Sequence, residues 1–146
     1  MKYSSVAVAL ASAAFAISGC GDGPTAETGP IVGAWAAVSI DGATLPTSFE
    51  VLLEERVCVI TVSAVTLEFN TNGRYTGGDT VSRRCGADPA VDLSRGYNGS
   101  FRTSGTLLYL REGTSPELPS TYSITGSTLT IVEVGEGGAV TVLQRR

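Results

Sequence analysis

Histidine is missing from all 146 residues, and Lys2 is the only lysine. Without histidine the commonest general base and the commonest metal ligand are gone. A Ser–His–Asp triad cannot be built, and beyond Lys2 neither can a Ser–Lys dyad. Positive charge is scarce as a whole. Downstream of Lys2, nine arginines face fourteen Asp plus Glu, a formal charge of −5. An acidic chain without a basic stripe is repelled by phosphate backbones, which argues against nucleic-acid binding. Long apolar runs are lacking too. The longest is residues 6–17, twelve residues, whereas a membrane-spanning helix needs about 20.

That short run has the shape of an export signal. Lys2 supplies a positive start, residues 6–17 an apolar centre, and Ile17-Ser18-Gly19-Cys20 an aliphatic residue, two small ones and a cysteine. The last four residues resemble the lipobox of bacterial lipoproteins. The resemblance implies that the Cys20 thiol is diacylated with palmitate-like chains, that the chain is cut before it, and that the new N-terminus is acylated. The alternative is an ordinary signal with a chance cysteine at the cut. Each buried methylene contributes about 0.8 kcal/mol and stable anchoring takes two or more acyl chains, a need that a lipidated Cys20 meets without a spanning helix. Residues 21–30 hold three glycines and two prolines without an apolar period and read as a flexible tether. The division expected is a lipoprotein signal peptide over 1–19, a lipidated linker over 20–30 and one β-domain over 31–146. Such a protein belongs to the cell envelope and faces the periplasm or the exterior. Gly21 stands where some bacteria place an Asp retention signal, which favours the outer membrane over the inner.

Export implies an oxidising compartment, where cysteine pairs persist. With Cys20 taken by lipid, Cys58 and Cys85 remain and are expected to pair, 27 residues apart. Such a loop closure is worth about 3.5 kcal/mol on the chain-entropy estimate. Their Cα atoms are then expected about 5.5–6 Å apart. The alternative is two separate thiols, since Cys58 lies among Val57, Val59 and Ile60. Two cysteines without histidine cannot complete a zinc shell, so no metal or other cofactor is expected.

From Ile31 onward the apolar period is two rather than 3.6. Val65, Leu67 and Phe69 alternate with Thr66 and Glu68; Leu129 and Ile131 alternate with Thr128 and Thr130; Val140 and Val142 flank Thr141. These half-polar, β-branched runs suit strands with one buried face. Asn72-Gly73 favours the positive φ of a tight hairpin, and Asp41-Gly42, Gly126 and residues 135–138 mark further turns. Residues 86–99 and 112–120 read as long loops. Residues 49–56 suit either a helical turn capped by Ser48 or a strand, with extended structure expected. Seven or eight strands in consecutive hairpins close into a barrel or stack as a sandwich, and closure removes exposed edges.

Three motifs carry a wider resemblance. Gly33-Ala34-Trp35 has the G-x-W form. Residues 67–75 form a strand, an Asn-Gly turn and an aromatic strand. Residues 122–131 form a hairpin, followed by a last strand ending in Arg145-Arg146. Together they resemble the lipocalin-like families of small bacterial lipoproteins over essentially the whole of 31–146, with residues 76–100 longer than the pattern. The resemblance implies an all-β, antiparallel up-and-down barrel of about eight strands. It also implies that Trp35 packs at the closed end beneath Arg145 or Arg146 from the last strand, which then pairs with the first. The bland alternative is Trp35 as simple core filler.

No catalytic constellation stands out, and an enzyme is not expected. Glu54 with Glu55 and Asp88 with Asp92 are paired only in sequence, and Asp79, Asp88 and Asp92 lack the spacing of a calcium loop. Gly77-Gly78 and residues 135–138 read as turn glycines, and Arg83-Arg84 as a small positive spot. Two functions follow. One is a membrane-anchored barrel binding a small apolar ligand in its mouth. The other is a non-catalytic interaction module, such as an assembly factor or protease inhibitor, with a centre filled by Trp35, Phe49, Phe69, Tyr75, Phe101, Leu108, Tyr109 and Tyr122. A void of several hundred cubic ångströms favours the first reading and no void the second.

Overall fold

A computed structural model describes residues 30–135 and 137–146. The expectations for the signal peptide, Cys20 and most of the tether lie outside those residues. The described chain is all-β. In chain order its strands are β1 (Gly33–Ile40), β2 (Ala43–Thr44), β3 (Thr47–Leu53), β4 (Arg56–Phe69), β5 (Arg74–Cys85) and β6 (Val91–Asp92), then β7 (Arg95–Ser104), β8 (Leu107–Glu112), β9 (Leu118–Thr125), β10 (Thr128–Glu133) and β11 (Val140–Arg145). Every pairing is antiparallel. The order β1-β11-β10-β9-β8-β7-β5-β4 closes on itself because β4 also pairs with β1. This is an eight-stranded up-and-down barrel, and β2, β3 and β6 are additions to it. Closure leaves the barrel strands no free edge.

Local chemistry explains the hairpins. In the β4–β5 turn Gly73 takes φ +74°, and the N–H of Asn70 donates to the Arg74 carbonyl at 2.8 Å. Residues 49–56 are extended, as expected, and turn at Glu54 and Glu55, both with positive φ. Some expectations need correction. The supposed loops are shorter than they looked, since β7 begins at Arg95 and β9 at Leu118. Gly77 and Gly78 lie inside β5 and not in a turn. In β11 it is Leu143 that is fully buried, while Val140 and Val142 are half-buried on the other face.

Cross-strand partners share a face of the sheet, so one set of residues points inward all round the barrel. The buried cluster is Ile31, Trp35, Leu67, Phe69, Tyr75, Phe101, Leu108, Leu129, Ile131 and Leu143. Phe69 meets Phe101 edge-on with centroids 4.9 Å apart. Two of the proposed fillers are elsewhere. Phe49 is 50% exposed, and Tyr109 lies under the Arg102 guanidinium, 3.7 Å from its ring centre.

Residues 56–62 of β4 and 81–85 of β5 run on past the barrel, where they pair with β3 and β6 to make an arm. A bulge at Ser63 adds one residue to β4, whereas β5 continues without interruption. The sheet face that lines the barrel therefore continues onto the arm, carrying Phe49, Val51, Leu53, Ile60 and Val91.

Candidate functional site

The two ends of the barrel differ in what fills them. At the closed end Trp35 is fully buried, and its Nε1–H donates to the Ile31 carbonyl at 2.8 Å. Trp35 is the cross-strand partner of Arg145 on β11 and of Leu67 on β4. The Arg145 guanidinium lies 4.3 Å from the indole and donates to the carbonyls of Val32 at 2.9 Å and Pro30 at 2.7 Å. Gly33 has φ +131°, and a Cβ there would stand 2.6 Å from Arg145 Nη1. Only glycine takes that φ without strain and also leaves room for the arginine. Of the two arginine candidates, Arg145 covers the tryptophan. Arg146 contributes its backbone N–H to the Ala34 carbonyl at 2.9 Å, and the pairing with Arg146 over the indole is set aside.

At the other end the barrel is open. A cavity of about 480 Å³ enters there, walled by Val65, Leu67, Leu110, Leu118, Ile131 and Val134, with Tyr75, Tyr97, Arg95, Glu112, Glu133 and Thr141 among its polar edges. Ligand pockets run from about 300 to 1,000 Å³ and are mainly apolar, with a few placed polar groups. The tyrosines owe their places to glycine. Tyr75 is opposite Gly99 and Tyr97 opposite Gly77. A Cβ on Gly77 would come within 2.3 Å of the Tyr97 ring, and one on Gly99 within 2.8 Å of the Tyr75 ring.

The electrostatics of this end are lopsided. Arg95 is bound to Asp79 twice, by its Nε–H to Oδ2 at 3.2 Å and its backbone N–H to Oδ1 at 3.1 Å. The ion pairs among the described residues engage Asp88, Asp79 and Glu117, leaving Glu112 and Glu133 unpaired. Burial raises the Tyr75 hydroxyl above its ordinary pKa, and the Glu112 charge adds to the rise. Burial does the same for Tyr97, followed by the charge of Asp79; Arg95 opposes.

The remaining residues from the sequence lie away from the cavity. Cys58 and Cys85 form a disulfide across β4 and β5 on the arm, as expected. Their Cα atoms are 4.0 Å apart, closer than expected, since the two residues are direct cross-strand partners. Arg56 bonds Asp88 beside it and donates to the Cys85 carbonyl at 3.2 Å. The Ser94 hydroxyl, and then the Ser94 N–H that donates to Asp92 at 2.8 Å, lower the Asp92 pKa. Arg83 and Arg84 fall on opposite faces of the arm. Cys20 lies outside the described residues.

Sequence reasoning missed Glu112, Glu133, Arg95 and Tyr97 as cavity residues. A usable signal existed, because the inward phase of Leu108 and Leu110 extends to Glu112, and that of Leu129 and Ile131 to Glu133. No family model and no curated protein matches the chain.

Proposed function

We propose that this chain is an envelope lipoprotein of the lipocalin-like type, anchored through Cys20, whose barrel carries a small apolar molecule in its open end without catalysis. The observation that carries the reading is the cavity of about 480 Å³ walled by aliphatic side chains. A centre filled by its own side chains, the mark of a pure interaction module, describes only the closed half around Trp35 and Phe69. The anchoring geometry agrees. Pro30 sits at the closed end under Arg145, ten residue steps along the chain from Cys20. At about 3.3–3.6 Å per residue the tether reaches at most ~35 Å. A membrane held at that end leaves the mouth facing the periplasm or the exterior.

Native mass spectrometry of the detergent-free barrel, purified without organic extraction, tests the carrier reading. A co-purified mass in the range of a small lipid is the expected result. A bare protein mass, with decanol also failing to bind, would defeat it. Anchoring is tested separately: Cys20→Ser should abolish partitioning into detergent, and a serine variant that still partitions would rule out lipidation there.

A further inference from the structure

The cavity also indicates what kind of apolar molecule it takes. Among the described residues its one lining arginine, Arg95, bonds Asp79 through its Nε–H and its backbone N–H and lies over the Tyr97 ring, 5.6 Å from the centroid. The inward positions of β8 and β10 end in Glu112 and Glu133, and neither has an ion-pair partner among the described residues. Beside Glu112 stand two tyrosine rings, Tyr75 and Tyr97, with centroids 6.5 Å apart and planes inclined at 57°. Tyr75 is only 4% exposed, yet it lines the void.

We propose that the ligand of this cavity is an apolar molecule bearing a cationic amino group, its chain against the aliphatic wall and its ammonium beside Glu112 and the Tyr75 ring, the Tyr97 ring being taken by the Arg95 guanidinium 5.6 Å from its centre. The inference rests on the carrier reading and names the ligand class of the same site. A cation leaving water needs replacement for its hydration, and a carboxylate beside an aromatic ring supplies it. A fatty acid would bring a further negative charge toward Glu112 and Glu133, and the one arginine among the described lining residues already faces the Asp79 carboxylate. Burial and then the nearby Glu112 charge raise the Tyr75 hydroxyl above its ordinary pKa.

Three ligands with one chain length separate the possibilities: decylamine, decanol and decanoate, titrated calorimetrically at neutral pH and below micelle formation. The protein is the segment 30–146, which contains every pairing that closes the barrel. Decylamine should bind at least about tenfold more tightly than decanol, as one charge-assisted contact allows, and decanoate more weakly than either. Glu112→Gln should bring decylamine down to the level of decanol and leave decanol and the unfolding midpoint unchanged. Added salt should weaken the amine alone. Equal binding of amine and alcohol, tightest binding of decanoate, or an amine affinity untouched by Glu112→Gln would overturn the amine proposal while decanol binding upholds the carrier. Failure of all three ligands to bind would overturn the carrier reading and the amine proposal with it.

Discussion

The barrel and the arm are two stretches of one sheet face with opposite surroundings. On the barrel that face meets the opposing wall, and Trp35, Phe69, Leu108, Leu129 and Leu143 are shut away from water. On the arm the same face meets no opposing wall among the described residues, and Phe49, Leu53 and Val91 remain 50%, 39% and 47% exposed. Where burial cannot hold the strands together, a covalent bond does: the disulfide joins β4 to β5 on the arm and not in the barrel. Cys58 is the one buried apolar residue of that segment, 1% exposed. An apolar, β-branched strand gains stability from its inner face where closure gives that face a partner. A cross-link is the substitute at the part of a sheet left single-layered.

The largest effect should come from the closed end. Trp35→Ala is expected to cost about 3–5 kcal/mol in urea unfolding, as buried aromatics do, and to loosen the barrel strands together. Arg145→Ala should cost about 0.5–1 kcal/mol, the scale of a guanidinium over an indole at a solvent-accessible site. A Trp35 variant of unchanged stability would break the idea that closure depends on that end.

Removing the disulfide by Cys58→Ser with Cys85→Ser should cost up to about 3.5 kcal/mol. Hydrogen exchange should show the loss concentrated in residues 47–62 and 80–92. Equal loss of protection in β9, β10 and β11 would mean that arm and barrel melt as one unit, and the contrast between them would fall.

Alkali should act on the barrel first, since the arm carries no tyrosine. Tyr75 and Tyr97 have folded pKa values raised above the ordinary 10.0. A raised value makes the folded state the better proton binder, so stability is intact below pH 10.0 and is lost as pH climbs from there through the folded values. Phenolate absorbance should show these two tyrosines ionising late, with barrel unfolding accompanying them. Ionisation of both at the ordinary value would contradict their burial.

The smallest effect is expected on the open face of the arm. Phe49→Ser should shift stability by less than about 0.5 kcal/mol, since an exposed ring has little burial to lose. It should also reduce the binding of an apolar fluorescent dye. A loss of several times that size would show the arm face to be covered in solution.

The alternation of Val65, Leu67 and Phe69 and of Leu129 and Ile131 made the strands legible, and G-x-W with a terminal arginine pair made the closure legible. The alternation is local, fixed by the period of the pleat, whereas the closure was legible only through the family resemblance, since Trp35 and Arg145 stand 110 residues apart. Count and compartment were enough to pair Cys58 with Cys85. The alternation in β11 misled, because a Val-Thr-Val pattern has two phases and only the register Trp35–Arg145 selects the one that buries Leu143. Phe49 was read as a filler because hydrophobicity alone does not tell whether a second wall exists. The cavity was invisible for a related reason. Glu112, Glu133, Tyr75 and Tyr97 come from four strands separated by up to 58 residues, and nothing local says that they converge.

The strands and turns follow from neighbours along the chain, the expected cysteine pair from count and compartment, and the candidates at the closed end from the resemblance that Gly33, Trp35 and the terminal arginines carry. The tertiary structure alone decided that the other end stays open, that two carboxylates point into it, and that one stretch of sheet stands outside as an arm. Those outcomes depend on barrel closure and on the bulge at Ser63, where one extra residue keeps the inner face of β4 in phase as it leaves the barrel.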